Sequence, residues 1–178
     1  MQQVLIHPDF RSSAPFRIEA DAVRSPVGGM ELRFLLTGSV TDLVVPPPAE
    51  IGRADGLWRH TCFEAFVGTA NGDGYVELNF APSAEWAAYA FDGYRQGMRP
   101  AEVPPPLIEA MAVREGLELT ATVDLSATGL PLDAPWRVGL SAVIEARGGE
   151  ISYWALAHPS GKPDFHHRDG FVIELPTP

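Results

Sequence analysis

Apolar and polar residues alternate with a period of two along most of this chain, which is how strands with one buried face are written into a sequence. In the stretch 117–125, Leu117, Leu119, Ala121, Val123 and Leu125 alternate with Glu118, Thr120, Thr122 and Asp124, predicting a half-buried antiparallel strand. The stretch 108–114 precedes it across Glu115-Gly116, a connection short enough for a hairpin, whose glycine supplies the positive φ such a turn wants. Segments 136–146 and 150–156 flank Gly148-Gly149 in the same way, and 61–67 and 75–80 flank Asn71-Gly72-Asp73-Gly74. Near the start, 16–23 and 30–36 are separated by Pro26-Val27-Gly28-Gly29, and 171–175 reads as a closing strand. Helical periodicity is scarce. About ten short strands punctuated by glycine and proline predict an all-β fold, an antiparallel β-sandwich of immunoglobulin-like or jelly-roll type, with barrel closure left open.

The proline runs 46–48 and 104–106 cannot donate ladder hydrogen bonds, so they are expected as stiff extended connections. A length of 178 residues, 46% hydrophobic and 20% charged, fits a single globular domain over 1–178. No apolar run approaches the roughly 18 residues that span a bilayer. The formal charge of −10 argues against a nucleic-acid partner, whose affinity rests on basic groups displacing counterions. The first residues lack the basic and apolar regions of a secretory signal, and the lone Cys62 fits a reducing compartment, so a cytoplasmic protein without membrane partners is the expectation.

One feature departs from plain alternation. Between positions 57 and 67, Trp58, His60, Cys62, Glu64 and Phe66 share one parity, and Tyr75, Glu77 and Asn79 share one parity of the following strand. Side by side, these two sets make a sheet face of aromatic rings, carboxylates and an amide. Such a face suits a sugar, because a ring covers the apolar C–H surface while carboxylate and amide oxygens take hydroxyl hydrogens. The tract 153–169 begins as a strand and breaks at Pro159 and Pro163 into a loop, where His158, Lys162, Asp164 and His166 can form a rim. Glu64 and Glu77 also suit the acid and base of a glycoside-acting enzyme. No nucleophile elbow, phosphate loop or dinucleotide fingerprint accompanies them, so a non-catalytic or purely structural, protein-binding role stays beside it. No metal site is expected.

The run 58–67, then 75–80, Trp86 and 91–95, resembles the DOMON-like domains, relatives of the family 9 carbohydrate-binding modules. The resemblance implies a small-ligand-binding module, with Trp58 as half of a ring sandwich, Glu64 beside it, and Trp154 as the candidate for the second ring. The sheet face and loop rim read from the residues add His60, Glu77, Asn79 and His158 to the site. Glu77 stands where sugar-binding relatives often carry an arginine, which implies different hydroxyl contacts there. Other DOMON-related domains hold b-type haem through axial side chains. For that alternative the chain offers Met98 with His158 or Lys162, or with His60, His166 or His167, while covalent haem attachment is excluded because no C-x-x-C-H occurs.

Overall fold

The computed structural model describes residues 1–12 and 15–178. Among these described residues thirteen strands run in chain order: β1 Gln2–Ile6, β2 Arg17–Arg24, β3 Gly29–Thr37, β4 Gly52–Arg53, β5 Cys62–Thr69, β6 Tyr75–Phe80, β7 Glu85–Phe91, β8 Arg99–Pro100, β9 Leu107–Val113, β10 Gly116–Asp124, β11 Trp136–Glu145, β12 Ile151–Ala155 and β13 Ile173–Leu175. They form an all-β sandwich. One layer pairs β1, β2, β3, β10 and β9, and the other pairs β4, β7, β6, β5, β11 and β12, with β13 added along β11 and β8 along β7. The two layers are continuous because β1 pairs β2 through Gln2, Gln3 and Val4 and then β12 through Leu5 and Ile6. Pairing is antiparallel except for the two-residue β4, which runs parallel to β7. No helix among the described residues is long and apolar enough to cross a membrane.

The alternation expected from the sequence sets the layers. In β10 the apolar positions Leu117, Leu119, Ala121 and Val123 are buried against Leu36, Phe34, Leu32 and Met30 of the neighbouring strand's inner face. The facing layer supplies Phe63, Ala65, Val67, Leu78, Phe80, Leu140 and Ala142, and Phe34 meets Phe63 across the gap with ring centroids 5.2 Å apart. Each fully buried side chain of this size contributes about 1.5–3 kcal/mol, so the inter-layer core is the main source of stability.

The second layer differs in kind, since β5, β6 and β7 are buried on both faces. Phe66, Tyr75, Ala87, Tyr89, Phe91 and Phe171 form a second apolar cluster on the outer face, with Leu57 and Phe165 packed against it. The loop between β12 and β13 lays Phe165, His166 and Phe171 over these strands and leaves an opening beside them. That opening is the site described below.

Two local expectations are corrected. The hairpin of β9 and β10 turns at Arg114-Glu115, and Gly116 is already paired with Val113. Its glycine is required by close approach, because a Cβ there would lie 1.9 Å from the Leu36 carbonyl oxygen. The stretch ahead of β5 is no strand either: Gly56, at φ +80°, turns the chain into a single 3-10 turn over Leu57–Arg59, and Trp58 sits on that turn.

Gly116→Ala is expected to cost about 1–3 kcal/mol through overpacking. Gly148→Ala, where nothing lies within 4 Å of the added methyl, is expected to stay within about 0.5 kcal/mol. Urea unfolding of both variants checks this, and equal midpoints contradict the account of Gly116.

Candidate functional site

The β5–β6 register places Glu64 opposite Asn79 and Phe66 opposite Glu77, so the two glutamates are diagonal neighbours on the outer face. Diagonal positions in an antiparallel pair lie about 7–8 Å apart, close enough for the carboxyls to sense each other. They sit at the base of a cleft of about 370 Å³. Its walls are Trp58, Phe66, Phe91, Met98, Val143, Tyr153, Pro163 and Phe165, with Arg95 and His166 on one side.

Glu64 is 2% exposed, and its Oε1 has no hydrogen-bond partner. Burial and the nearby Glu77 push its carboxyl well above the usual carboxylate range. Glu77, 5% exposed, is raised by burial as well, while the Asn79 amide and the Arg95 charge pull the other way. Asn79 Nδ2 donates to Glu77 Oε1 at 2.8 Å, and His166 Nε2 lies 3.8 Å from Glu77 Oε2.

His166 is positioned by three contacts. Tyr75 OH and His166 Nδ1 are hydrogen-bonded at 2.8 Å, His166 N–H donates to Asp164 Oδ1 at 3.1 Å, and the ring packs edge-on against Phe66 at 5.1 Å. Burial, then the Arg95 charge, hold His166 down to about 4, so the imidazole is neutral at pH 7. Arg95 has a left-handed backbone, φ 53°, and its N–H donates to Tyr75 OH at 3.2 Å. Its guanidinium donates to Asp164 Oδ1 at 2.9 Å, and the Tyr94 hydroxyl donates to the same carboxylate. Asp164 is thereby kept below the usual carboxylate range despite its burial.

The structure brings Trp58, Glu64, Glu77 and Met98 to one cleft. Trp58 is 37% exposed and meets Tyr89 edge-on at 6.0 Å. The other residues expected at the site are placed elsewhere. Trp154 lies on the opposite face of β12, in the inter-layer core, with its indole N–H donating to Ser152 Oγ at 2.9 Å, because position 153 rather than 154 shares parity with the cleft. Tyr153 takes that wall instead. Asn79 is on the right face but fully buried, so it orients Glu77 rather than lining the opening. His60 caps the 3-10 turn and pairs with Glu145 at 2.7 Å in solvent. His158 turns away, bonded through Nε2 to the Leu5 carbonyl at 2.8 Å.

The haem alternative meets the same difficulty. Met98 is in the wall, but His158 is engaged by Leu5, and Lys162 lines an adjoining polar hollow with Tyr94, Ser160 and Asp169 rather than the cleft itself. His166 reaches the cleft but is turned to Tyr75 and Glu77. The proposed axial pairs of Met98 with His158 or Lys162 therefore do not converge on one plane, and the donor set does not fit a six-coordinate haem. Arg95, Phe165 and Tyr153 were not expected as cleft residues. Asp164 and His166 lie in the tract that the sequence marks as a rim, although no sequence signal specifies their pairing with Arg95 and Tyr75.

No family model matches the chain, and no curated protein matches it in sequence. Solved structures do match in shape. A protein of Bacteroides uniformis ATCC 8492, named as a candidate carbohydrate-binding protein, superposes with a TM-score of 0.64 at 12% identity, covering 98% of this chain and 84% of its own. A family 9 carbohydrate-binding module from Caldicellulosiruptor kristjanssonii in complex with cellotriose gives 0.55 at 8% identity, covering 97% and 80%. The same organism's family 9 module in complex with glucose gives 0.52 at 7% identity, covering 93% and 78%. The chain thus shares its β-sandwich fold with these proteins.

The Glu64 carboxyl binds its proton more tightly folded than unfolded, so it lowers stability as pH rises from about 4.3, the ordinary glutamate value, through its raised folded value. His166, held at about 4, acts oppositely, adding stability between about 4 and about 6.5. Glu64→Gln leaves the His166 contribution in place and removes the first. Its stability relative to the native protein is expected to climb as pH rises above about 4, measured by urea midpoints from acid to neutral pH. An advantage that shrinks with pH contradicts the assignment.

Proposed function

We propose that this chain is a non-catalytic binding module of the DOMON-like kind, and that it takes a carbohydrate or sugar-like ligand in the Trp58–Glu64–Glu77 cleft. The single observation that carries the reading is a buried carboxylate oxygen, Glu64 Oε1, left without a protein partner at the base of a ring-walled opening. Buried polar atoms in folded proteins are nearly always satisfied, and an orphan facing a cavity is a place where a ligand or water supplies the missing bond. Pockets that bind small molecules share this composition, mostly apolar walls with a few convergent polar groups.

The rings suit a pyranose. Trp58 projects from the turn with its indole partly exposed, and Phe91, Phe165 and Tyr153 bound the remaining sides. Arg95 is held by Asp164, which also accepts from the Tyr94 hydroxyl, so its remaining N–H groups are available to a ligand hydroxyl. The likeness to sugar-binding sandwiches supports the reading at the level of shape.

The test is a calorimetric titration of the purified chain with mono- and oligosaccharides, glucose and cellotriose among them. Trp58 quenching provides a parallel readout, since Trp86, Trp136 and Trp154 are buried. Saturable binding is expected, weakened about ten-fold by Trp58→Ala through loss of one stacking ring. A panel in which no saccharide binds the native protein overturns the proposal.

A further inference from the structure

We propose that the sugar-like guest of this cleft carries a protonated amine, seated against Glu64 and Glu77 with an aromatic wall beside it. This rests on the sugar reading above and narrows it to amino sugars. The inference comes from the charge arrangement at the base of the cleft. Glu64 and Glu77 are 2% and 5% exposed and are diagonal neighbours, yet among the described residues no cationic side chain acts on Glu64.

The nearby bases are otherwise committed. Arg95 acts on Glu77 from the side, but its guanidinium is bonded to Asp164 at the rim. His166 is uncharged at neutral pH and approaches Glu77 rather than Glu64. Cys62, the other titratable group beside Glu64, is buried with its thiol 3.7 Å from Asn79 Oδ1 and is kept protonated by burial. Two acids therefore share the buried base of the cleft, where burial favours their protonated forms unless a cation arrives from outside the protein.

A neutral hydroxyl can donate one hydrogen bond to such a pair but adds no charge to stabilise its ionised form. An ammonium group donates three hydrogen bonds, accepts none and supplies the charge that stabilises the ionised carboxylates. The free Glu64 Oε1 and the Glu77 carboxylate are its acceptors. The rings of Trp58, Phe66 and Phe91 add the electron-rich faces that attract a cation at short range.

The experiment compares glucosamine, N-acetylglucosamine and glucose by calorimetry near neutral pH, on the full chain, at about 0.15 M salt so that diffuse attraction to the net negative surface is screened. Glucosamine is expected to bind at least ten-fold more tightly than the other two, and Glu64→Gln and Glu77→Gln are each expected to abolish that preference. The two variants are checked by circular dichroism, and if one fails to fold the other carries the comparison. Equal affinity for glucose and glucosamine, or a preference that survives in a folded glutamine variant, overturns the amine assignment while leaving the sugar site standing. Absence of binding by all three, with oligosaccharides also silent, removes both.

Discussion

The register of β5 against β6 is the constraint on which the site depends. Glu64 pairs with Asn79 and Phe66 with Glu77, so the polar parity of both strands falls on the outer face while Phe63, Ala65, Leu78 and Phe80 fill the inter-layer core. A slip of one residue exchanges the two faces, burying both carboxyls in the core and exposing Phe63 and Phe80. The cost of that exchange pins the register. The same pairing continues outward, through Glu77 against Tyr89 and Glu64 against Ser141, so strands on both sides contribute to one surface.

A central strand covered on both faces ordinarily carries apolar residues throughout. This layer obeys that rule except at Glu64, Glu77 and Asn79. Asn79 resolves its own polarity by bonding Glu77 and accepting the weak thiol contact of Cys62. The carboxyl pair is not resolved in the same way, which leaves an unsatisfied acceptor and raised proton affinities facing an opening. Stability is given up there. Such local departures from packing rules are characteristic of functional positions.

Much of the architecture was legible in the alternation. The hairpins β2–β3, β5–β6 and β11–β12 lie where glycine-containing turns separate period-two segments. What was hidden has physical causes. β7 reads Glu-Trp-Ala-Ala-Tyr-Ala-Phe and is buried on both faces, so no alternation distinguishes it. β1 is divided between two layers, and β4 and β8 are two residues long. The site was half legible: Glu64 and Glu77 follow from parity within hairpins, while Trp58 reaches the cleft from a 3-10 turn that parity does not describe. Trp154 misled because its neighbour Tyr153 holds the cleft-facing parity. The Arg95–Asp164–Tyr94 rim joins residues about 70 positions apart and depends on tertiary closure alone.

The central claim is that Glu64 is a buried acid whose Oε1 has no hydrogen-bond partner among the described residues and whose proton affinity is raised by burial. Carbon-detected NMR titration of its side-chain carboxyl in the ligand-free protein addresses this most directly, with Glu64→Gln identifying the resonance. A midpoint well above the ordinary glutamate range is the expected result. A midpoint at the ordinary value, or below it, means that Glu64 is solvated or already paired, and contradicts the account.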